Sequence, residues 1–312
     1  MKLTEILKKY FSKDQILSNV DVAPYLTSKV SKIVNCIVKI KTIQDWKKLA
    51  EFIKTEKLIP GIIGGGSNMV VIKAEHPFYL LNQYRDKKVV SEDKTYVYIK
   101  VSSGYNMNAL VNETLQLGLS GIEYHLGLPG TVGGAVVMNS KWTKPLAYVG
   151  DVVESAEILD LDGNFKTVSA DYFNFSYDYS FLQTTKEFLV SVVLKLKKSK
   201  KDLVAQRAKS ALEYRKQTQP FGVFTAGCFF QNISEELKEK LNLPTTSAGY
   251  LIDQCGLKGF SIGDFVVSDK HANFIINRGK GSYQDLEKII EIIKHKVKHK
   301  FGVDLKLEVK LD

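Results

Sequence analysis

Residues 121–139 read G-I-E-Y-H-L-G-L-P-G-T-V-G-G-A-V-V-M-N, and this stretch constrains the fold more than any other. Gly127, Gly130, Gly133 and Gly134 crowd together beside Pro129, with apolar runs at 126–128 and 135–138 on either side. Glycine loses more conformational freedom on folding than any other residue, so a cluster inside an apolar stretch needs a physical reason. One reason is a backbone bent through tight turns beneath a core. The other is a backbone whose N–H groups must approach a bulky anion with no Cβ in the way. The spacing G-x-x-G-x-x-G-G differs from the G-x-G-x-x-G turn of a dinucleotide fold. No G-K-[ST] follows it, which excludes the Walker phosphate loop.

A second cluster, Gly64-Gly65-Gly66-Ser67-Asn68, joins strands expected over 57–63 and 69–72. A hairpin turn needs only two central residues. Three glycines followed by Ser-Asn instead favour a nest of consecutive N–H donors flanked by two polar side chains, which is an anion site.

With 312 residues, 44% of them hydrophobic, the chain can bury large cores in two or three domains. Its formal charge of +10 admits a nucleic acid or a polyanionic small molecule. No nucleic-acid motif accompanies the charge, and the lysines gather at 197–201 and 294–300, so they read as solvated faces. No apolar run reaches membrane-spanning length, and the first residues lack a signal peptide's apolar region. A cytoplasmic monomer without membrane or nucleic-acid partners is the expectation. Cys36, Cys228 and Cys255 are odd in number and far apart, which indicates neither a disulfide framework nor a metal site.

Local signals place the elements. Thr42 and Asp45 form a capping box ahead of Ile43, Trp46, Leu49, Phe52 and Ile53 at helical spacing. Residues 96–102 alternate as a strand, and Asn106 caps a helix that ends before Gly118. Asp162-Gly163 sits between strands expected at 156–161 and 164–168, as in a hairpin. A strand is expected at 188–196 and a charged helix at 202–216, with Gln219-Pro220 as a boundary. Ser247 caps a short helix ending at Gly256, and Ser282 and Asp285 cap one whose buried face is Leu286, Ile289, Ile290, Ile293 and Val297. Residues 305–311 alternate as a closing strand.

Five stretches together carry a family resemblance. They are the 64–68 loop, L-P-G-T-V-G-G…N at 128–139, A-G-C-F-F-x-N at 226–232, L-I-D-Q-C-G-L-K-G at 251–259, and S-x-K-H-A-N-F-I-x-N at 268–277. In this order the chain resembles the UDP-N-acetylenolpyruvoylglucosamine reductases over roughly residues 20–310, in the shorter subtype with cysteine at 228. The resemblance implies an α+β fold, with a vanillyl-alcohol-oxidase-type FAD domain of two α+β subdomains at 1–80 and 81–200. An α/β substrate domain would follow at 201–312, its last strand returning to the FAD domain.

The resemblance also implies non-covalent FAD, NADPH as co-substrate and a UDP-sugar substrate. NADPH would reduce the flavin, which would then deliver hydride to the enolpyruvyl double bond. Gly64, Gly65, Gly66, Ser67 and Asn68 would cradle the FAD pyrophosphate, in agreement with the nest. Gly130, Thr131, Gly133, Gly134 and Asn139 would line the rest of the cofactor. Cys228 matches the proton donor; an ordinary thiol, with a pKa of about 8.5, holds its proton at neutral pH. Glu308 matches the acidic residue that helps stabilise and protonate the enolate, although from the residues alone it is an exposed strand position. Tyr177, Arg215, Asn232 and Lys258 fall at substrate-binding positions, and no metal is implied. His271 and Asn273 suit packing as well as they suit a ligand.

Three departures set this chain apart. The family's Tyr-Arg-x-Ser is Tyr177-Asp178-Tyr179-Ser180, a carboxylate in place of the arginine that stabilises negative charge. The glycine-rich segment after Asn139 is Ser140-Lys141-Trp142-Thr143-Lys144-Pro145, and Phe-Lys-Asn-Pro is Phe230-Gln231-Asn232-Ile233. Lys141 and Lys144 are candidates for the missing charge. A flavoprotein that keeps the fold and FAD but has lost or changed the reaction is the alternative.

Overall fold

The computed structural model describes residues 3–312; Met1 and Lys2, the start of the first expected subdomain, lie outside the described residues. The chain divides into two units, Met1–Val20, Val34–Gly65 and His76–Arg215 in the first, and Asp21–Ile33, Gly66–Glu75 and Lys216–Asp312 in the second.

In the first unit an antiparallel sheet runs in the order Phe165–Ser169, Val153–Leu159, Phe188–Lys198, Tyr96–Ser102, Lys87–Glu92. Tyr96–Ser102 buries Val97, Ile99 and Val101, as its period of two requires. Against the sheet lies the helix Met107–Gln116, which buries Met107, Leu110, Val111 and Leu115. Asn106 Oδ1 caps it by accepting from Ala109 N at 2.8 Å. In a second, four-stranded sheet Tyr79–Asn82 pairs in parallel with Ile33–Ile40 and with Gly61–Ile63, and Ile16–Asp21 lies at the edge beside Ile33–Ile40. The helix Ile43–Glu56 buries Trp46, Leu49, Phe52 and Ile53, and the Thr42–Asp45 capping box is present.

Two expectations change here. Of the strand expected at 57–63 only Gly61–Ile63 pairs as a strand, and Lys57 at φ +55° instead closes the preceding helix. The hairpin around Asp162-Gly163 is not a two-residue turn. Leu159 pairs with Phe165, and Asp160 Oδ1 closes the longer loop by accepting from Asp162 N at 3.0 Å and Asn164 N at 2.7 Å.

In the second unit a three-stranded sheet, Ser261–Ile262, Phe265–Val267 and Ile275–Asn277, shares a core with the helices Ala248–Gln254 and Tyr283–Phe301. Tyr283–Phe301 buries Leu286, Ile289, Ile290, Ile293 and Val297, the expected face. The closing strand shortens to Lys310–Leu311, which pairs in parallel with Met69–Val70. That pairing draws residues 66–75 into the second unit. The units therefore do not follow contiguous bounds at 80 and 200. The helix Lys201–Thr218 buries Val204 and Ala208 in the core of the first unit, so that unit extends to Arg215.

His125, in the central glycine stretch, is fully buried and its Nε2 donates to Ser140 O at 3.0 Å. Burial holds its pKa below the ordinary histidine value, and the nearby Arg215 charge adds to this. The folded chain therefore resists protonation at 125, whereas the unfolded chain takes up a proton below about pH 6.5. The contribution to stability is complete above that pH and is lost as the pH falls. The unfolding free energy measured in urea should decline from pH 7.5 to pH 5.5. His125→Gln, which keeps a donor for Ser140, should show a shallower decline.

Candidate active site

The two glycine clusters lie against each other in the first unit. A Cβ on Gly65 would strike Gly130 Cα and come within 2.9 Å of its carbonyl carbon. One on Gly64 would lie 2.8 Å from Thr131 Oγ1, and one on Gly133 would lie 2.8 Å from Ser103 Cβ. Gly133 N already donates to Ser103 O at 2.8 Å, and Gly130 has φ +109°. Close packing within the protein thus accounts for Gly64, Gly65 and Gly133, and a left-handed backbone for Gly130.

Gly134 is different. It lies exposed in the short helix Val132–Val137, with Thr131 Oγ1, which caps the helix, the nearest atom to its would-be Cβ at 3.7 Å. Nothing in the protein demands a glycine there. A Cβ would instead fill open space beside the paired 64–65 and 130–131 backbone, as an obstacle to a large ligand lying on it. These residues fit FAD.

The other end of that helix carries the polar residues. Asn139 is buried at φ +44°; its Oδ1 accepts from Gly150 N and its Nδ2 donates to Ser176 O, both at 2.9 Å. The amide expected among the cofactor contacts thus braces the 176–178 segment. Ser180 Oγ and Gln183 Nε2 donate to Val137 O at 2.8 and 2.9 Å, and Gln183 Nε2 also donates to Asp178 O at 2.9 Å. Tyr177 is covered by Lys141, whose Nζ is 3.5 Å from the ring centroid. Asp178 is buried at φ +51°, and its Oδ2 has no hydrogen-bond partner among the described residues. Burial pushes its carboxyl above the ordinary range, while the Lys141 charge and a hydrogen bond from Tyr177 pull the other way. Arg215 is buried with its guanidinium 5.0 Å from the Trp142 ring centroid.

In the second unit Gly66 continues the loop at φ +62°, where a Cβ would collide with Tyr25 O. Thr27 N donates to Gly66 O at 3.0 Å, and Thr27 Oγ1 donates to Thr225 O at 2.7 Å. Asn68 Nδ2 donates to Glu308 O at 3.3 Å, and Lys310 N donates to Asn68 O at 3.1 Å. Half-buried Cys228 bridges Phe274 through its backbone, and Glu308 N donates to Phe229 O at 2.9 Å. Asn273 clamps Phe230 from the other side, Oδ1 accepting from Phe230 N at 2.9 Å and Nδ2 donating to Phe230 O at 2.7 Å. Cys228, Glu308, Asn68 and Gly66 therefore belong to one knot of backbone.

Two residues expected on substrate have partners within the protein. Asn232 Oδ1 accepts from Ala248 N at 3.1 Å, at the start of a helix. Lys258 pairs with Asp253 at 2.7 Å. Asn273 has the packing role, and His271 stands edge-on to Phe274 at 5.0 Å, its pKa lowered by burial. Sequence reasoning missed Thr27, whose side-chain partners lie 39 and 198 residues away, so no local signal marks it.

Among the described residues no group of side chains could hold a metal, and no helix is long and apolar enough to cross a membrane. The sequence matches the family described as UDP-N-acetylenolpyruvoylglucosamine reductase, C-terminal domain, over residues 219–311, and the FAD binding domain over residues 34–169. UDP-N-acetylenolpyruvoylglucosamine reductase 1 of Bacillus cereus is 32% identical over 300 residues, 95% of this chain and 94% of that protein. The Chlamydia pneumoniae enzyme is 34% identical over 288 residues, 92% of this chain and 88% of that protein. The crystal structure of the reductase from Thermus caldophilus aligns with a TM-score of 0.74 at 28% identity, covering 95% of this chain and 97% of that one.

The two glycine environments predict opposite effects of one methyl group. Gly65→Ala should lower the melting temperature by several degrees, because Gly130 cannot move away without its loop. Gly134→Ala should leave the flavin-free protein as stable or more so, by up to about 1 kcal/mol. It should nevertheless reduce the FAD retained per chain after gel filtration. Full retention in Gly134→Ala would remove the ligand as the reason for that glycine.

Proposed function

Because the chain belongs to the UDP-N-acetylenolpyruvoylglucosamine reductase family, an oxidoreductase family of peptidoglycan precursor synthesis with FAD as cofactor, we propose that Cys228 is its catalytic acid. NADPH as electron source, a monomeric state and a cytoplasmic location belong to the same reading. When bound, FAD supplies the hydride that adds to the enolpyruvyl double bond.

Reduction leaves negative charge next to the substrate carboxylate, and the adjoining carbon must gain a proton. The observation that carries the proposal is the backbone knot that lays Cys228-Phe229 alongside Glu308. Cys228 gives up its thiol proton there. Glu308, half-buried and held at its backbone by Phe229 and Asn68, assists the transfer.

The developing charge also needs a cation, and Tyr177-Asp178-Tyr179-Ser180 lacks the family's arginine. Lys141 supplies one, since its ammonium already lies over Tyr177. Burial favours the neutral form of Asp178, which lessens its opposition to an anion. Arginine at 178 would have to enter a buried, left-handed position, so Asp178→Arg should destabilise the fold rather than assist the reaction.

Anaerobic stopped-flow tests both assignments. In Cys228→Ala, NADPH should still bleach the flavin, while reoxidation by UDP-N-acetylglucosamine enolpyruvate slows by about 10²–10⁴-fold. Cys228→Ser should keep much of the activity. Reoxidation at the native rate in Cys228→Ala would make the cysteine structural.

Lys141→Met should slow the same half-reaction by about 10²-fold, and Lys141→Arg should restore most of it. If Lys141→Met reoxidises as the native protein does, the cation comes from elsewhere.

A further inference from the structure

One cavity of about 410 Å³ in the first unit belongs to neither the glycine cradle nor the 176–178 segment. Its walls include Tyr124, Trp142, Lys144, Arg207, Ser210 and Tyr214. Arg207, Ser210 and Tyr214 recur at intervals of three and four along the helix Lys201–Thr218, so they share one face. Small side chains at Ser210 and Ala211, between the longer Arg207 and Tyr214, leave the space.

The opposite wall is the 141–148 hairpin, formed by Lys141–Thr143 paired with Leu146–Tyr148. It occupies the place where the glycine-rich segment was expected. Trp142 is preorganised there. Its Nε1 donates to Lys144 O at 2.7 Å, Arg215 lies over its ring, and Tyr214 meets it edge-on at 5.9 Å between centroids.

The lining combines aromatic faces with positive charge and contains no acidic side chain. Lys144 makes no ion pair among the described residues, and its Nζ lies 5.0 Å from the Tyr214 centroid. Arg207 is 40% exposed and commits one nitrogen to Glu123 at 3.3 Å, which leaves most of its fork of donors. Three aromatic rings suit a planar base. Two cations suit a phosphate. The volume lies within the range of about 300–1,000 Å³ typical of small-molecule sites.

We propose that this cavity is a nucleoside-phosphate pocket, distinct from the flavin cradle. The pocket itself rests on the lining alone. Only the source of its ligand rests on the reductase reading, being either the adenosine 2′-phosphate end of NADPH or the uridine diphosphate of the substrate.

The test is calorimetric titration of the FAD-loaded protein with 2′,5′-ADP and, separately, with UDP. One of the two should bind, more weakly as salt rises. Lys144→Gln should weaken that ligand about tenfold by removing one charge-assisted contact. Ser210→Phe, on an exposed helix position, should abolish binding by filling the space. Tighter binding of 2′,5′-ADP identifies the co-substrate as the source, and tighter binding of UDP identifies the substrate.

Absence of binding by both, or affinities that neither variant changes, would overturn the proposal. Because no turnover is involved, the two readings fail separately. Binding that depends on Lys144, in a protein whose flavin NADPH never reduces, would sink the electron-source assignment and leave the pocket standing.

Discussion

The first unit depends on the approach of one backbone to another without an intervening side chain, at Gly65 on Gly130. The two segments come from opposite halves of the unit, and only glycine allows such contact. The same close approach brings Thr131 to Gly64, so that its hydroxyl, which caps the helix Val132–Val137, also borders the loop. With the backbones this near, Gly134 is left beside open space that a ligand can enter. Packing within the protein thus explains the glycines at 64, 65 and 133, whereas no neighbouring atom demands one at 134.

In the second unit the corresponding constraint is a set of buried amide clamps. Asn273 pairs both ways with Phe230, and Asn277 Nδ2 donates to Ser28 O at 3.0 Å. A buried amide must find partners or forfeit its hydration, so each clamp holds two segments in one register. That register places the Cys228-Phe229 backbone next to Glu308, whose N donates to Phe229 O.

The 141–148 hairpin shows how a departure from the family pattern is absorbed. It carries Lys141 to Tyr177, Trp142 to Arg215 and Lys144 to Tyr214, three contacts between a cation and a ring. A flexible glycine-rich segment could not hold these positions. The segment that replaces it therefore brings charge to the 176–178 turn, where Asp178 stands, and also walls the cavity against the helix Lys201–Thr218.

Whatever rests on neighbours in sequence was determined by the sequence alone. Capping at Thr42, Asn106, Ser247 and Ser282 depends on a side chain reaching the third residue onward, and the buried face of Tyr283–Phe301 depends on helical spacing. The family, the cofactor and both glycine loops were also readable, because ordered motifs survive substitution between them. Tertiary structure decided what depends on distant partners. Lys310–Leu311 joined Met69–Val70, while Leu307, earlier in the expected closing strand, bridges Phe230 instead. Asn139, placed by motif at the cofactor, turned inward to Gly150 and Ser176. Thr27 had no local signal at all. Hydrogen-bonding capacity is written in each residue, but its partner is chosen only when packing excludes water and brings remote donors and acceptors together.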